Sequence, residues 1–282
     1  MTAPTGDVWA EVLAGDMAVP SGWSREDLVT ALAGMLTDPD PAVRDDTAYP
    51  VFALWIGRGE LDGMLAWVGD TVSGLQAHPE IWARTFGTMI LAWVVRRDAV
   101  TGELDDATVR RWRDDFAGWW SAEQDLRGYD PEHGWLHAVA HGSDTLRAFG
   151  RSPRMSPDDL VGLLELAAGR LMTPTDHVLR DQEEDRVSYA LASVLAREDL
   201  SDPVGWLVPV REALAAGTPG PVPAWVSNTT RTLASLYVAV HRGVRWYDPA
   251  TQEPSGATPP SRAREILDAI AETLRVADYY LG

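Results

Sequence analysis

Apolar residues in this chain recur three and four apart almost from end to end, which restricts it to packed helices. No stretch shows the sustained alternation of a half-buried strand. Turn residues break the pattern roughly every 15 to 25 residues, so the helices should fold back on one another as hairpins. Residues 1–40 read as capping helices. A short amphipathic segment carries Val8, Trp9, Val12 and Leu13, and a loop ends at Pro20. Ser24, with Asp27 three residues on, then caps a helix through Leu36. Residues 41–282 read as five helix pairs: 41–56 with 61–75, 80–97 with 104–124, 134–149 with 157–171, 183–197 with 203–215, and 227–242 with 261–281. Pair starts lie about 40 to 55 residues apart, near the period of helical-hairpin repeats. The expected fold is therefore all-α: paired antiparallel helices in a HEAT-like solenoid or partial α/α toroid, forming one continuous domain. Two stretches resist a helix, Gly128–Gly134 (G-Y-D-P-E-H-G) and the proline-rich Tyr247–Pro260.

Composition excludes several function classes. The formal net charge of −18 argues against a nucleic-acid or anionic-membrane surface, both of which need clustered cations. No run reaches the roughly 18 apolar residues that span a bilayer, and no secretory signal pattern opens the sequence. Cysteine is absent, so disulfides and thiolate sites are excluded, and a cytoplasmic location is the expectation. Most of the 13 tryptophans should pack between helices, leaving a few to wall a pocket.

One block carries candidate chemistry: Asp125–Asp144, D-L-R-G-Y-D-P-E-H-G-W-L-H-A-V-A-H-G-S-D. On a helix, His137, His141 and Asp144 fall at i, i+4 and i+7, within roughly 60° of arc. Trp135, Val139, Leu146 and Phe149 lie on the opposite side, so the His/His/Asp stripe is expected to face solvent or a cleft. Two histidines one turn apart suit one transition metal, and Asp144 can ligate it or orient a ring. Such pairs also arise on ordinary helices, where they only hydrogen-bond a neighbouring loop. His177, Glu184 and Asp185 can complete a metal site, with Glu184 as a spare base. Zinc and non-haem iron fit this ligand set equally. There is no H-E-x-x-H, phosphate loop, nucleophile elbow or dinucleotide fingerprint.

The first helix of each pair also opens with polar groups. These are Arg44, Asp45, Asp46 and Tyr49; Trp82 and Arg84; the histidines; Glu183 through Arg186; and Asn228, Thr229 and Arg231. Stacked hairpins line up such helices along one wall, so these groups can meet in one cleft. Capping explains the acids and the Asn and Thr. It does not explain Arg44, Arg84, Arg186 and Arg231, which oppose the helix dipole and imply ion pairs or an anionic ligand.

The block, with R-D-D-T-A-Y-P upstream and E-E-D-R-V-S-Y-A downstream, resembles a bacterial family known as a domain of unknown function, over about residues 40 to 280. The resemblance implies a HEAT-like all-α domain and gives weight to Arg127, Gly128, Gly134, Trp135, His137, His141, Asp144, Asp185 and Arg186. It implies no activity. The leading expectation is a metal-dependent hydrolase of a small polar substrate. His137, His141, Asp144 and His177 supply metal ligands, and Glu184 and Asp185 act in catalysis. Arg44, Tyr49, Trp135, Arg186, Asn228 and Arg231 contact substrate. The alternative is a helical-repeat module that binds a peptide in the same cleft through Trp and Arg anchors.

Overall fold

The computed structural model describes residues 4, 6–217, 220–245 and 256–277. Two N-terminal helices, α1 (Gly6–Ala14) and α2 (Arg25–Met35), come first. Ser24 Oγ accepts from Asp27 N at 3.0 Å, the cap that the spacing predicts. α3 (Pro41–Val43) passes through a π-helical turn (Arg44–Ala48) into α4 (Tyr49–Arg58). Pro50 accounts for the irregular turn: it has no N–H for the carbonyl four residues back, and Tyr49 N instead bonds Arg44 O. α5 (Leu65–Ser73) ends in a 3-10 turn, and α6 (Ile81–Thr101) and α7 (Asp106–Ala122) follow. The remaining helices are α8 (Ala138–Arg151), α9 (Pro157–Met172), α10 (Glu183–Leu195), α11 (Leu207–Ala215), α12 (Ala224–Arg242) and α13 (Ala263–Ala277). Residues 247–255 of the proline-rich stretch, and the end of the last expected helix beyond Ala277, lie outside the described residues.

Alternate helices pack on one another in two rows. α4, α6, α8, α10 and α12 form one row, and α5, α7, α9, α11 and α13 the other. Most buried apolar side chains run in one contiguous cluster from Trp9 to Ile270, and Ile81, Leu136 and Ala138 form a second, small one. Trp55, Trp112 and Trp120 are enclosed completely, and two glycines make room for two of them. A Cβ on Gly69 would lie 2.2 Å from the Trp112 ring, and one on Gly142 would lie 2.1 Å from that of Trp120. Trp120 Nε1, so placed, donates to Ala138 O at 3.1 Å and ties α7 to the start of α8.

The histidine helix departs from expectation in its start. It begins at Ala138, because Gly128–Gly134 and Trp135 form a hairpin instead. In it β1 (Tyr129–Asp130) pairs antiparallel with β2 (Gly134–Trp135). Asp130 Oδ1 accepts from Glu132 N and His133 N at 3.0 Å, closing the turn, and Gly134 takes a φ of +73° that favours glycine. Trp135 is therefore not a core residue: it stands 43% exposed. The His/His/Asp side of α8 faces clefts, one of the two expected settings. α8 lies between α6 and α10, and the small residues Ala140, Gly142, Ser143, Thr145 and Ala148 let both neighbours close over it.

Candidate metal centre

Two local conformations build the site. After the hairpin, Leu136 N and His137 N both bond Gly128 O, at 2.8 and 3.2 Å. His137 then adopts a left-handed backbone, φ 45°, ψ 41°, while its carbonyl accepts the first helical bond of α8 from His141 N at 2.8 Å. Gln182 has the same left-handed form, φ 66°, immediately before α10. A non-glycine residue in this region costs about 1 to 2 kcal/mol. The two bends turn His137 and the start of α10 toward each other.

His137, Asp181 and Glu183 each offer a ligand atom, and these atoms lie within 4.8 Å of one another. Glu183 is fully buried, and its Oε1 is 3.9 Å from His137 Nε2. Both atoms are enclosed and lack a hydrogen-bond partner. The other Glu183 oxygen accepts from Asp181 N at 2.7 Å, which fixes the carboxylate's direction. Gly128 permits the crowding, because a Cβ there would lie 2.2 Å from Asp181 Oδ2 and 2.6 Å from Glu183 Oε1. No Arg forms an ion pair with Asp181 or Glu183 among the described residues. Two carboxylates meet one imidazole with nothing to balance their charge, a donor set that suits a divalent cation.

His141 stands edge-on to His137, with 5.5 Å between ring centroids, and its enclosed Nδ1 also lacks a partner. Burial pushes the His137 imidazolium down to about 4, opposed by nearby Asp181. Complete burial pushes His141 well below the ordinary histidine range, with His137, Arg186 and Arg44 adding to the shift. Both rings are thus neutral at pH 7, the form in which imidazole ligates a metal.

A cleft of about 520 Å³ opens over the group. Asp45, Asp46 and Tyr49 of the first helix pair, Phe86 and Met89 of the second, Trp135, His137 and His141 of the third, and Asp181, Gln182 and Arg186 of the fourth line it. The Trp135 ring lies 4.3 Å from that of His137. Burial raises the Asp45 carboxyl, although the adjacent Arg44 guanidinium opposes the rise.

Other expected site residues do different work. Asp144 is ion-paired with Arg186 through both oxygens and stays out of the ligand group. His177 also stays out: its carbonyl accepts from Asn228 Nδ2 at 2.9 Å on the α12 side. Glu184 pairs with Arg231 at 3.2 Å, and Asp185 accepts from Ser235 Oγ at 2.5 Å, so both turn from the cleft toward α12. Arg44 is fully buried, bonding Asp38 O and His133 O and pairing with Asp45, and so braces the hairpin. Asn228 holds Leu179 N at 3.0 Å, and Arg231 bonds Leu179 O, which pins the loop before α10. All four arginines that oppose helix dipoles are ion-paired, Arg84 with Glu123 at 2.7 Å.

The sequence reading missed Asp181 and passed over Glu183 for its neighbours. Spacing along α10 does not separate the two glutamates: Glu183 shares a buried line with Val187, Ala190 and Val194, and Glu184 shares one with Ser188, Leu191 and Leu195.

Comparison with curated proteins finds no match. A family model, described as "Protein of unknown function (DUF2785)", matches residues 74–238, a stretch that holds His137, His141, Asp181, Glu183 and Arg186. That match covers more than half of the 282 residues, and the chain belongs to this family.

Proposed function

We propose that this protein is a metal-dependent enzyme that hydrolyses a small polar substrate, with His137, Asp181 and Glu183 as ligands and His141 beside them. One observation carries the reading: His137 Nε2 and Glu183 Oε1 are enclosed, 3.9 Å apart and without partners, next to a second uncompensated carboxylate. A structural cluster would be expected to satisfy those atoms. A divalent cation at this place supplies Lewis acidity for water addition. Zinc and ferrous iron fit the donors equally well. The chain's own residues do the rest. Trp135 and Tyr49 wall the space in which substrate lies, and Arg186 holds a polar group of it. Asp45, which lines the cleft and is oriented by its pair with Arg44, accepts the proton from water. The two helix rows support reading the scaffold as a HEAT-like solenoid, with the site on its α4–α6–α8–α10 wall.

The test is elemental analysis of protein purified without a metal-affinity tag, beside His137→Ala and Glu183→Gln. About one equivalent of zinc, iron or manganese in the wild type, lost in both variants, is the expected result. No metal in the wild type, even after reconstitution with excess divalent ions, overturns the proposal and leaves the cleft as a peptide-binding surface.

A further inference from the structure

The cleft does not end at Arg186. A second compartment of about 650 Å³ adjoins it, and Tyr49, Met89 and Arg186 line both. The character of the wall changes across this boundary. Among the described residues lining the second compartment are Arg96, Arg147, Arg186 and Arg245, with Asp144 as the acid beside them. The chain as a whole has 42 acidic residues to 24 arginines and no lysine, so this local reversal runs against the global charge.

Asp144 offsets Arg96 and Arg147 only in part: both of its oxygens are hydrogen-bonded to Arg186, and its charge does not overcome the burial of the other two guanidiniums. Arg96 lies over the Trp93 ring, 4.3 Å from its centroid, and pairs with no carboxylate among the described residues. Arg147 donates to Arg245 O at 3.1 Å and likewise has no carboxylate partner among them. Burial depresses both guanidinium pKa values, a penalty that a bound anion would relieve. Most arginines elsewhere in the fold are matched: Arg97 with Asp62, Arg111 with Asp70, Arg154 with Asp98. Tyr49 adds a donor. Its hydroxyl accepts from Trp93 Nε1 at 3.4 Å, so its own proton is left for a ligand.

We infer that this compartment is a subsite for an oxyanion, and that the substrate carries a phosphate or carboxylate group held by Arg96, Arg147 and the Tyr49 hydroxyl while its reacting bond lies over His137, Asp181 and Glu183. Planar guanidinium forks match both oxyanions in geometry. The inference rests on the metal-site reading for the reaction but not for the binding. Arg186, shared by both compartments and held by Asp144, marks the point where substrate passes from one to the other.

Calorimetric titration with inorganic phosphate and, separately, acetate tests it. The titrations use wild type, Arg96→Gln/Arg147→Gln, Arg96→Lys and Glu183→Gln, in chelator and at constant ionic strength. Saturable phosphate binding is expected in the wild type and in Glu183→Gln, weakened tenfold or more in the double variant and partly retained in Arg96→Lys. Acetate binding of similar strength assigns the subsite to carboxylates; phosphate alone assigns it to phosphorylated substrates. If the double variant does not fold, the wild type against Arg96→Lys still decides. No saturable binding of either anion in the wild type overturns the subsite and leaves the metal centre standing. Phosphate binding that appears only with metal added, and vanishes in Glu183→Gln, also overturns it, because the anion is then a metal ligand.

Discussion

Glu183 and Glu184 are adjacent residues in the first turn of one helix, and the fold treats them in opposite ways. Glu184 faces α12, pairs with Arg231 at 3.2 Å and helps pin the loop before α10. Glu183 faces α8, is fully buried and meets another carboxylate and a neutral imidazole instead of a cation. One side of the turn is balanced within the protein; the other is left for something from outside. Buried charge that the fold does not balance lowers the stability of the empty protein, and it persists where it serves a ligand.

Gly128 gives the largest way to break this contrast. Gly128→Ala puts a methyl carbon 2.2 Å from Asp181 Oδ2 and 2.6 Å from Glu183 Oε1, so the carboxylates must separate. Metal affinity should fall on the order of tenfold to a hundredfold, the usual cost of disturbing what orients a ligand. Overpacking should also cost about 1 to 3 kcal/mol in chelator. Metal titration with urea unfolding checks both, and unchanged affinity would mean that the two carboxylates do not act together.

A smaller effect has opposite signs on the two sides of the turn. Arg231→Ala removes the Glu184 pair and the bond to Leu179 O, so the apo protein should lose about 1 to 2 kcal/mol. Glu183→Gln removes an uncompensated charge, so the apo protein should be unchanged or stabilised, by up to about 1 kcal/mol. With saturating metal the order changes, since only a protein that still binds gains from the ligand. Thermal unfolding with and without chelator reads all four values. Equal losses in both variants would show that Glu183 is compensated after all.

The helix pairs were legible because each is a local pattern. Apolar residues three and four apart, with turn residues at the ends, mark 41–56, 80–97, 157–171 and 227–242, and helices lie at 41–58, 81–101, 157–172 and 224–242. The same repetition predicts that polar groups of all five first helices meet in one cleft; residues of four pairs line it, whereas Arg84 pairs with Glu123, and Asn228 and Arg231 of the fifth pin the loop before α10. The ligand set was not legible to the same depth. His137 and His141 stand out by type and spacing, but Asp181 lies in a loop whose direction depends on Gln182 being left-handed. Asp144 has the right helical spacing and the wrong partner, because Arg186, on another helix, takes both of its oxygens. Spacing along one helix cannot show what a neighbouring helix brings. Nor does phase along α10 separate Glu183 from Glu184, since the residues four, seven and eleven on from each are buried; what distinguishes them is the neighbouring helix each one meets.

The smallest effect is in pH, and it too separates the two sides. Burial holds the His137 imidazolium near 4, below the ordinary 6.5 that it regains on unfolding. His141 is displaced in the same direction. Between those values the unfolded chain binds more protons than the folded one, so stability is full above about pH 6.5 and is lost as pH falls toward 4. The balanced side has no histidine in this role. Urea midpoints in chelator should therefore fall between pH 7.5 and 4.5 more steeply in the wild type than in His137→Asn, whose side chain does not titrate. Arg231→Ala should keep the wild-type slope, displaced downward. Added metal should deepen the acid loss further, because protons then compete with the cation for the same nitrogen. A wild-type curve that falls less steeply than that of His137→Asn would mean that the imidazole is already charged beside Asp181 and Glu183 in the folded protein. The carboxylates would then be balanced from within, and the difference between the two faces of α10 would disappear.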